Sequence, residues 1–225
     1  LVIRLVPDSK TPERQTELDE RLLATPSIAL ERCNSIAVQM ANTSVEALKM
    51  SISALSGYTS EAAEKIRADE EATDHHEDIL GSYLVKLSSS RISEADSAEA
   101  AKLLKINGDF ERISDHAVNI LESAEEMRSK NITFTDSAKR ELDVLSGAIN
   151  EILDLSLAAF ISNDPNTALQ VEPLEQIIDG LKEQLRTRHI NRLQRGECSI
   201  DAGFVWSDLL TNIERASDHC SNIAG

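Results

Sequence analysis

The feature that most constrains this chain is a repeat within it. A shift of 105 residues lays EALKMSISAL (46–55) on EILDLSLAAF (151–160), and AEKIRADEEATD (63–74) on ALQVEPLEQIID (168–179). A shift of 103 lays DFERISDHAVNI (109–120) on NIERASDHCSNI (212–223). Three matches in one order, with offsets two residues apart, describe a duplicated unit whose copies differ by a short loop change.

The unit is helical. In 103–127 the residues Leu103, Ile106, Phe110, Ile113, Ala117, Ile120, Ala124 and Met127 recur at spacings of three and four. That is a seam for packing against two partner helices. Stop and start signals predict helices at about 26–57, 60–88, 92–129, 136–162, 165–195 and 201–224, with a short one at about 12–23 before them. Pro26 and Pro165 fit first turns, Gly57 a stop, and Thr135, Asp136 and Ser199 caps. Aromatics at 3% are too few for the residue mixture that sheets favour. The expected fold class is all-α: two tandem three-helix bundles, one over 26–130 and one over 131–225, the second ending early.

The formal charge is −16, from 23 basic and 39 acidic residues. Such a surface repels phosphate backbones and anionic lipid, so nucleic acid is not an expected partner and cations or basic proteins are. A second copy of the chain is a further candidate partner. Three widely spaced cysteines, Cys33, Cys198 and Cys220, form no CxxC pair, which argues against a disulfide framework and against thiolate zinc. No run approaches the length of about 18 apolar residues that a membrane span needs. The apolar start LVIRLV and the helical end read as cut edges of a longer protein.

The two copies keep acidic positions in identity where the apolar seam is matched only loosely. Both third helices contain ERxSDH, giving Glu111, Asp115 and His116 in one copy and Glu214, Asp218 and His219 in the other. Both second helices contain ExxxD: Glu70 with Asp74, and Glu175 with Asp179. Residues four apart lie about 40° apart around a helix and about 6 Å along it, so each pair presents two carboxylates from one strip. Strips on adjacent helices converge. Two carboxylates about 5 Å apart repel by roughly 3 kcal/mol at an effective dielectric near 20. Protons, arginine or metal must offset that. Arg112 and Arg215 stand about 100° around the helix from their Glu neighbours, which leaves a cation as the fuller answer. All-oxygen donors suit Mg²⁺, Ca²⁺, Mn²⁺ or iron over zinc, with His116 and His219 as added nitrogens or as props for a carboxylate.

An isolated ExxxD pair on an acidic helix is ordinarily a solvated face. The repetition on two helices of both copies is what lifts these above it. His75 and His76 have no match in the second copy, where Gly180 and Leu181 stand, and read as surface residues. Cys220, Trp206, Met40, Met50 and Met127 read as packing. Glu46 and Glu151 match, and fit either a third-helix contribution to the acidic patches or simple exposure. A di-metal carboxylate enzyme would show Glu-x-x-His, and no Glu has a His three residues on. GxGxxG, P-loop and Ser-His-Asp signals are also missing, so catalysis is not expected.

ERISDHAVNI and NIERASDHCSNI resemble the signature of the PhoU family, whose repeats carry E/DxxxD motifs on paired three-helix bundles. The likeness runs over about 26–225. It implies metal clusters on Glu70, Asp74, Glu111 and Asp115 and on Glu175, Asp179, Glu214 and Asp218, and a role in tuning phosphate uptake and signalling. Asn212 departs from the pattern where the first copy has Asp109. LDERLLATPSIALERC (18–33) is similar to the stretch that joins the membrane domain to the PhoU-like tail in bacterial sodium/phosphate cotransporters. That implies a linker over 1–25, a transporter domain in the same chain, a place on the cytoplasmic side of the membrane, and phosphate reached through metal. The alternative within the family is a separate soluble regulator of a transporter and its sensor kinase.

Overall fold

The computed structural model describes residues 18–225. A 3-10 turn, Glu20–Ala24, leads into α1 (Pro26–Gly57), α2 (Ser60–Ser88) and α3 (Glu94–Ser129). The second copy follows as α4 (Asp136–Ser162), a single turn α5 (Pro165–Ala168), α6 (Val171–Gln194) and α7 (Ile200–Ala224). Every described element is helical. The expected short helix at 12–23 lies largely outside the described residues, and its described part is the 3-10 turn.

Caps set the starts. Thr59, Ser93, Thr135 and Ser199 each accept a hydrogen bond from the backbone N–H three residues on. Three ends use left-handed residues: Asn163 (φ 49) caps α4, and Asn131 (φ 53) after α3 and Gly196 (φ 68) after α6 share a longer back-reach. At Asn131 and Gly196 the next N–H reaches back five residues to a helix carbonyl, Ile132 to Met127 and Glu197 to Arg192.

The expected single helix over 165–195 is broken between α5 and α6. Pro173 sits in the first turn of α6, and a continuous helix would drive its ring into the Leu169 carbonyl. The match of Pro173 in the first copy is Ala68, inside an unbroken α2.

Helices α1, α2 and α3 pack on one another, as do α4, α6 and α7, while α3 packs on α7 and α1 on α4 between the copies. Leu48, Ile66, Leu84, Phe110 and Ile120 fill the first core; Leu145, Ile149, Ile178, Leu209 and Ile213 fill the second. Helix α4 is long and apolar enough to cross a membrane by length and composition, contrary to the sequence reading. Its apolar face is a bundle face: Leu145, Ile149, Ile152 and Leu153 are wholly buried in the core.

The copies meet about an approximate two-fold axis. Lys49 Nζ reaches Asp154 Oδ1 at 2.5 Å, and these residues match at the repeat offset of 105. His116 and His219, matched at 103, lie with ring centroids 5.7 Å apart. Residues can touch their own duplicates only where a rotation, not a translation, relates the copies.

Candidate metal centres

In the first copy α2 and α3 set Glu70 near Asp74 and Asp115, and Glu111 beside Asp115, though no three of these carboxylates come as close as the trio of the second copy. Burial, with Asp115 beside it, pushes the Glu111 carboxyl up to about 7. Burial and the carboxylates of Asp115 and Asp74 also raise Glu70. One member was not singled out from sequence: Glu77, raised by burial and by Asp78 and Asp74. It stands one turn beyond Asp74, so the helix presents E-x-x-x-D-x-x-E, a spacing that was there to be read. Asn107 of α3 donates to the Glu77 carbonyl at 3.0 Å and locks the two helices there.

Arg112 bends back across the angle that separates it from its neighbours. Its Nε lies 3.4 Å from Glu111 Oε2 and its Nη1 3.8 Å from Asp115 Oδ2. That side chain is 62% exposed, so its relief of the cluster is screened by water.

In the second copy α6 and α7 bring together Glu175, Asp179, Glu214 and Asp218. Oxygens of Glu175, Asp179 and Asp218 lie within 4.8 Å of one another, the one such group of three among the described residues. Burial raises Glu175 and Asp218, with Asp179 the next cause for the first and Glu214 for the second. Glu214, outside that trio, pairs with Lys182, whose Nζ lies 2.7 Å from its Oε1. Lys182 occupies the position of Glu77.

The histidines do not join either cluster. His116 Nδ1 donates to Asn212 Oδ1 and His219 Nδ1 to Asp109 Oδ1, both at 2.9 Å and both across the two-fold axis. Each histidine therefore props the opposite copy at the matched position, where one copy has Asp109 and the other Asn212. Sequence alone could not tell which helix each ring would face. His76 is buried, a correction to its surface reading, because Asp69, Thr73, His76 and Leu80 share the inward strip of α2; His75 is exposed. Glu46 and Glu151 are exposed.

The chemistry of both donor sets fits a hard cation: oxygen alone, carboxylates raised by one another, and open access from solvent. Neither set presents a nucleophile with a base aligned to it.

A PhoU domain model matches residues 37–124 and 142–225, one stretch in each copy. The chain is 26% identical over 121 residues to "Phosphate-specific transport system accessory protein PhoU homolog 1" of Thermotoga maritima, a match covering 54% of this chain and 51% of that protein. It thus spans about half the length of that relative. To the PhoU homolog of Zymomonas mobilis it is 25% identical over 179 residues, covering 79% of this chain and 74% of the relative. Crystal structures of PhoU share the fold. The Streptococcus pneumoniae regulatory protein superposes with TM-score 0.77 at 18% identity over 88% of this chain and 93% of its own. The Pseudomonas aeruginosa protein gives 0.72 at 20% identity over 91% and 94%. With both copies covered by the domain model, the chain belongs to the PhoU domain family.

Proposed function

We propose that this chain is a non-enzymatic regulator of phosphate uptake or signalling whose two acidic clusters hold multivalent cations. The observation that carries the metal reading is the approach of Glu175, Asp179 and Asp218 to within 4.8 Å of one another. Carboxylates that close repel, and a positive ion among them would offset that. Glu70, Asp74, Glu77, Glu111 and Asp115 would hold the ion of the first copy; Glu175, Asp179, Asp218 and, once released from Lys182, Glu214 that of the second. Magnesium, manganese, calcium or iron suits such donors. Bound metal would supply the positive charge that lets phosphate or a phosphorylated partner approach a protein of charge −16.

The names borne by the relatives support a phosphate transporter as the partner. The likeness of residues 18–33 to a cotransporter junction supports a sodium-dependent transporter in the same chain, on the cytoplasmic side of the membrane; accessory proteins acting on a separate transporter support the alternative. The reading frame before Leu1 decides between them.

Phosphate titrated onto Mn²⁺-loaded protein should bind, and binding should weaken in Glu111→Ala/Asp115→Ala. Equal binding by both proteins would reject the site.

A further inference from the structure

The second copy carries a polar cluster at positions where its duplicate is plain core. Ile36, Leu84, Leu87, Ala100 and Leu103 are all buried apolar residues of the first bundle. The repeat offsets put Glu141, His189, Arg192, Gly203 and Trp206 at those five positions in the second. Arg192 Nη1 donates to Glu141 Oε2 at 2.7 Å and Arg188 Nη1 to Glu141 Oε1 at 3.4 Å. The His189 ring stacks on Trp206 with centroids 5.6 Å apart, and the Arg192 guanidinium lies 5.4 Å from the centroid of the Trp206 ring.

His189, Arg192 and Trp206 are 5%, 6% and 1% exposed. Both ring nitrogens of His189, Nε and Nη2 of Arg192, and Nε1 of Trp206 nevertheless have no hydrogen-bond partner. Buried polar groups left in that state weaken a fold, so a core that acquires several of them calls for something to satisfy them.

A cavity of about 340 Å³ opens beside the cluster between α6 and α7, with His189, Trp206, Leu193, Phe204 and Arg186 among its walls. Gly203 lies directly against His189. A Cβ at that position would come 3.2 Å from His189 Nε2 and 3.3 Å from Leu193 Cδ1, so a methyl there would press on both cavity-wall residues. The matched Ala100 supplies that methyl in the first copy. The rim is apolar, with Ile190, Ile200 and Phe204 exposed. Counted from Asp179 along α6, His189 is roughly 15 Å from the second acidic cluster.

The chemistry of the missing partner follows from what is unsatisfied. Trp206 and Arg192 can only donate. Burial, reinforced by Arg192, lowers His189, which keeps it neutral with one donor and one acceptor. The donors outnumber the acceptors, so the ligand must bring acceptors. Arg186 stands in the cavity wall, paired with Glu183 at 4.0 Å, while Arg188 and Arg192 share Glu141 and leave one positive charge in excess next to Trp206. One surplus charge matches a monoanion better than a dianionic phosphate. We propose that this cavity binds a small organic carboxylate, its aliphatic or aromatic body against Leu193 and Phe204 and its head group on His189 and Trp206, with Arg186 in the wall and Arg192 beside Trp206 supplying positive charge.

Trp206 is the one tryptophan of the chain, so its emission reports on this cavity alone. The full chain is titrated with hexanoate and 3-phenylpropanoate, with hexan-1-ol and acetate as controls. Both carboxylates should change the emission saturably, hexan-1-ol should bind at least tenfold more weakly, and acetate should give no saturable change. His189→Leu, which installs the residue of the first copy, should abolish the response with far-UV circular dichroism unchanged; Gly203→Ala should weaken it about tenfold by pressing a methyl against His189 and Leu193 in the cavity wall. Hexan-1-ol binding as well as hexanoate, or no saturable change at millimolar carboxylate, would overturn the proposal. So would a titration unaltered by Gly203→Ala, which decides the matter should His189→Leu not fold.

Discussion

In the first copy α2 turns Glu70, Asp74 and Glu77 toward Glu111 and Asp115 on α3, and the cations near them are Arg67 beside Glu70 and the largely exposed Arg112 beside Glu77 and Glu111. In the second copy Lys182 stands in place of Glu77, with its side chain only 21% exposed, and binds Glu214 directly. One duplicated framework therefore carries two electrostatic solutions. The first cluster has little internal relief for its repulsion, which is where the proposed ion would act. The second neutralises one carboxylate internally and leaves three others closely grouped. If both clusters take the proposed ion, the four matched acids would serve it alike, and the Glu77/Lys182 exchange would make the two copies depend on it differently.

Exchanging those charges tests the difference. Lys182→Glu removes one partner of a partly buried pair and adds a fifth carboxylate. In chelated protein it should cost about 2 kcal/mol, or roughly 4–8 °C of melting temperature, and Mn²⁺ should restore the loss. A mutant no less stable than the parent in chelator would mean that Lys182 does not relieve the cluster.

A second contrast is in pH. Glu111 has its ordinary value of 4.5 in the unfolded chain and about 7 in the fold. Between those values the folded state holds the proton more tightly, so stability is fully present below about pH 4.5 and is lost as pH rises toward 7. With its side chain 22% exposed and water screening part of the effect, the loss should be about 1.5 kcal/mol in denaturant titrations of chelated protein. Glu111→Gln should flatten that slope, and so should metal in the parent. A slope unchanged by Glu111→Gln would place its origin elsewhere.

The converse exchange, Glu77→Lys, should stabilise chelated protein by about 1 kcal/mol while weakening cation binding to the first cluster, as calorimetric titration with Mn²⁺ would show. Unchanged affinity would remove Glu77 from the ligand set. The smallest effect belongs to the contact between the copies. Lys49→Ala should cost no more than about 0.5 kcal/mol by thermal melting, because Asp154 is 64% exposed and the pair is well hydrated. A loss several times larger would make that contact a main support of the two-fold arrangement.

Helix periodicity and caps made the bundles legible in sequence, since Thr59, Ser93, Thr135 and Ser199 act locally. Pro173 carried the signal of the α5–α6 break, masked by the strong match of 168–179 to an unbroken helix. Matching by identity found the eight acids because it rewards what the copies keep. For the same reason it passed over Glu77, whose counterpart is Lys182, and the Glu141, His189, Arg192 and Trp206 cluster, whose counterparts are apolar. The roles of His116 and His219 depend on which faces meet across the two-fold axis, and periodicity within one helix does not carry that.

The most direct test of the account is metal content paired with stability. Protein purified without chelator should carry a multivalent ion in each cluster by elemental analysis. Glu111→Gln/Asp115→Asn and Glu214→Gln/Asp218→Asn should each remove the ion of one copy, and excess chelator should lower the melting temperature of the parent. Protein that carries no multivalent ion and melts at one temperature with and without chelator would contradict it.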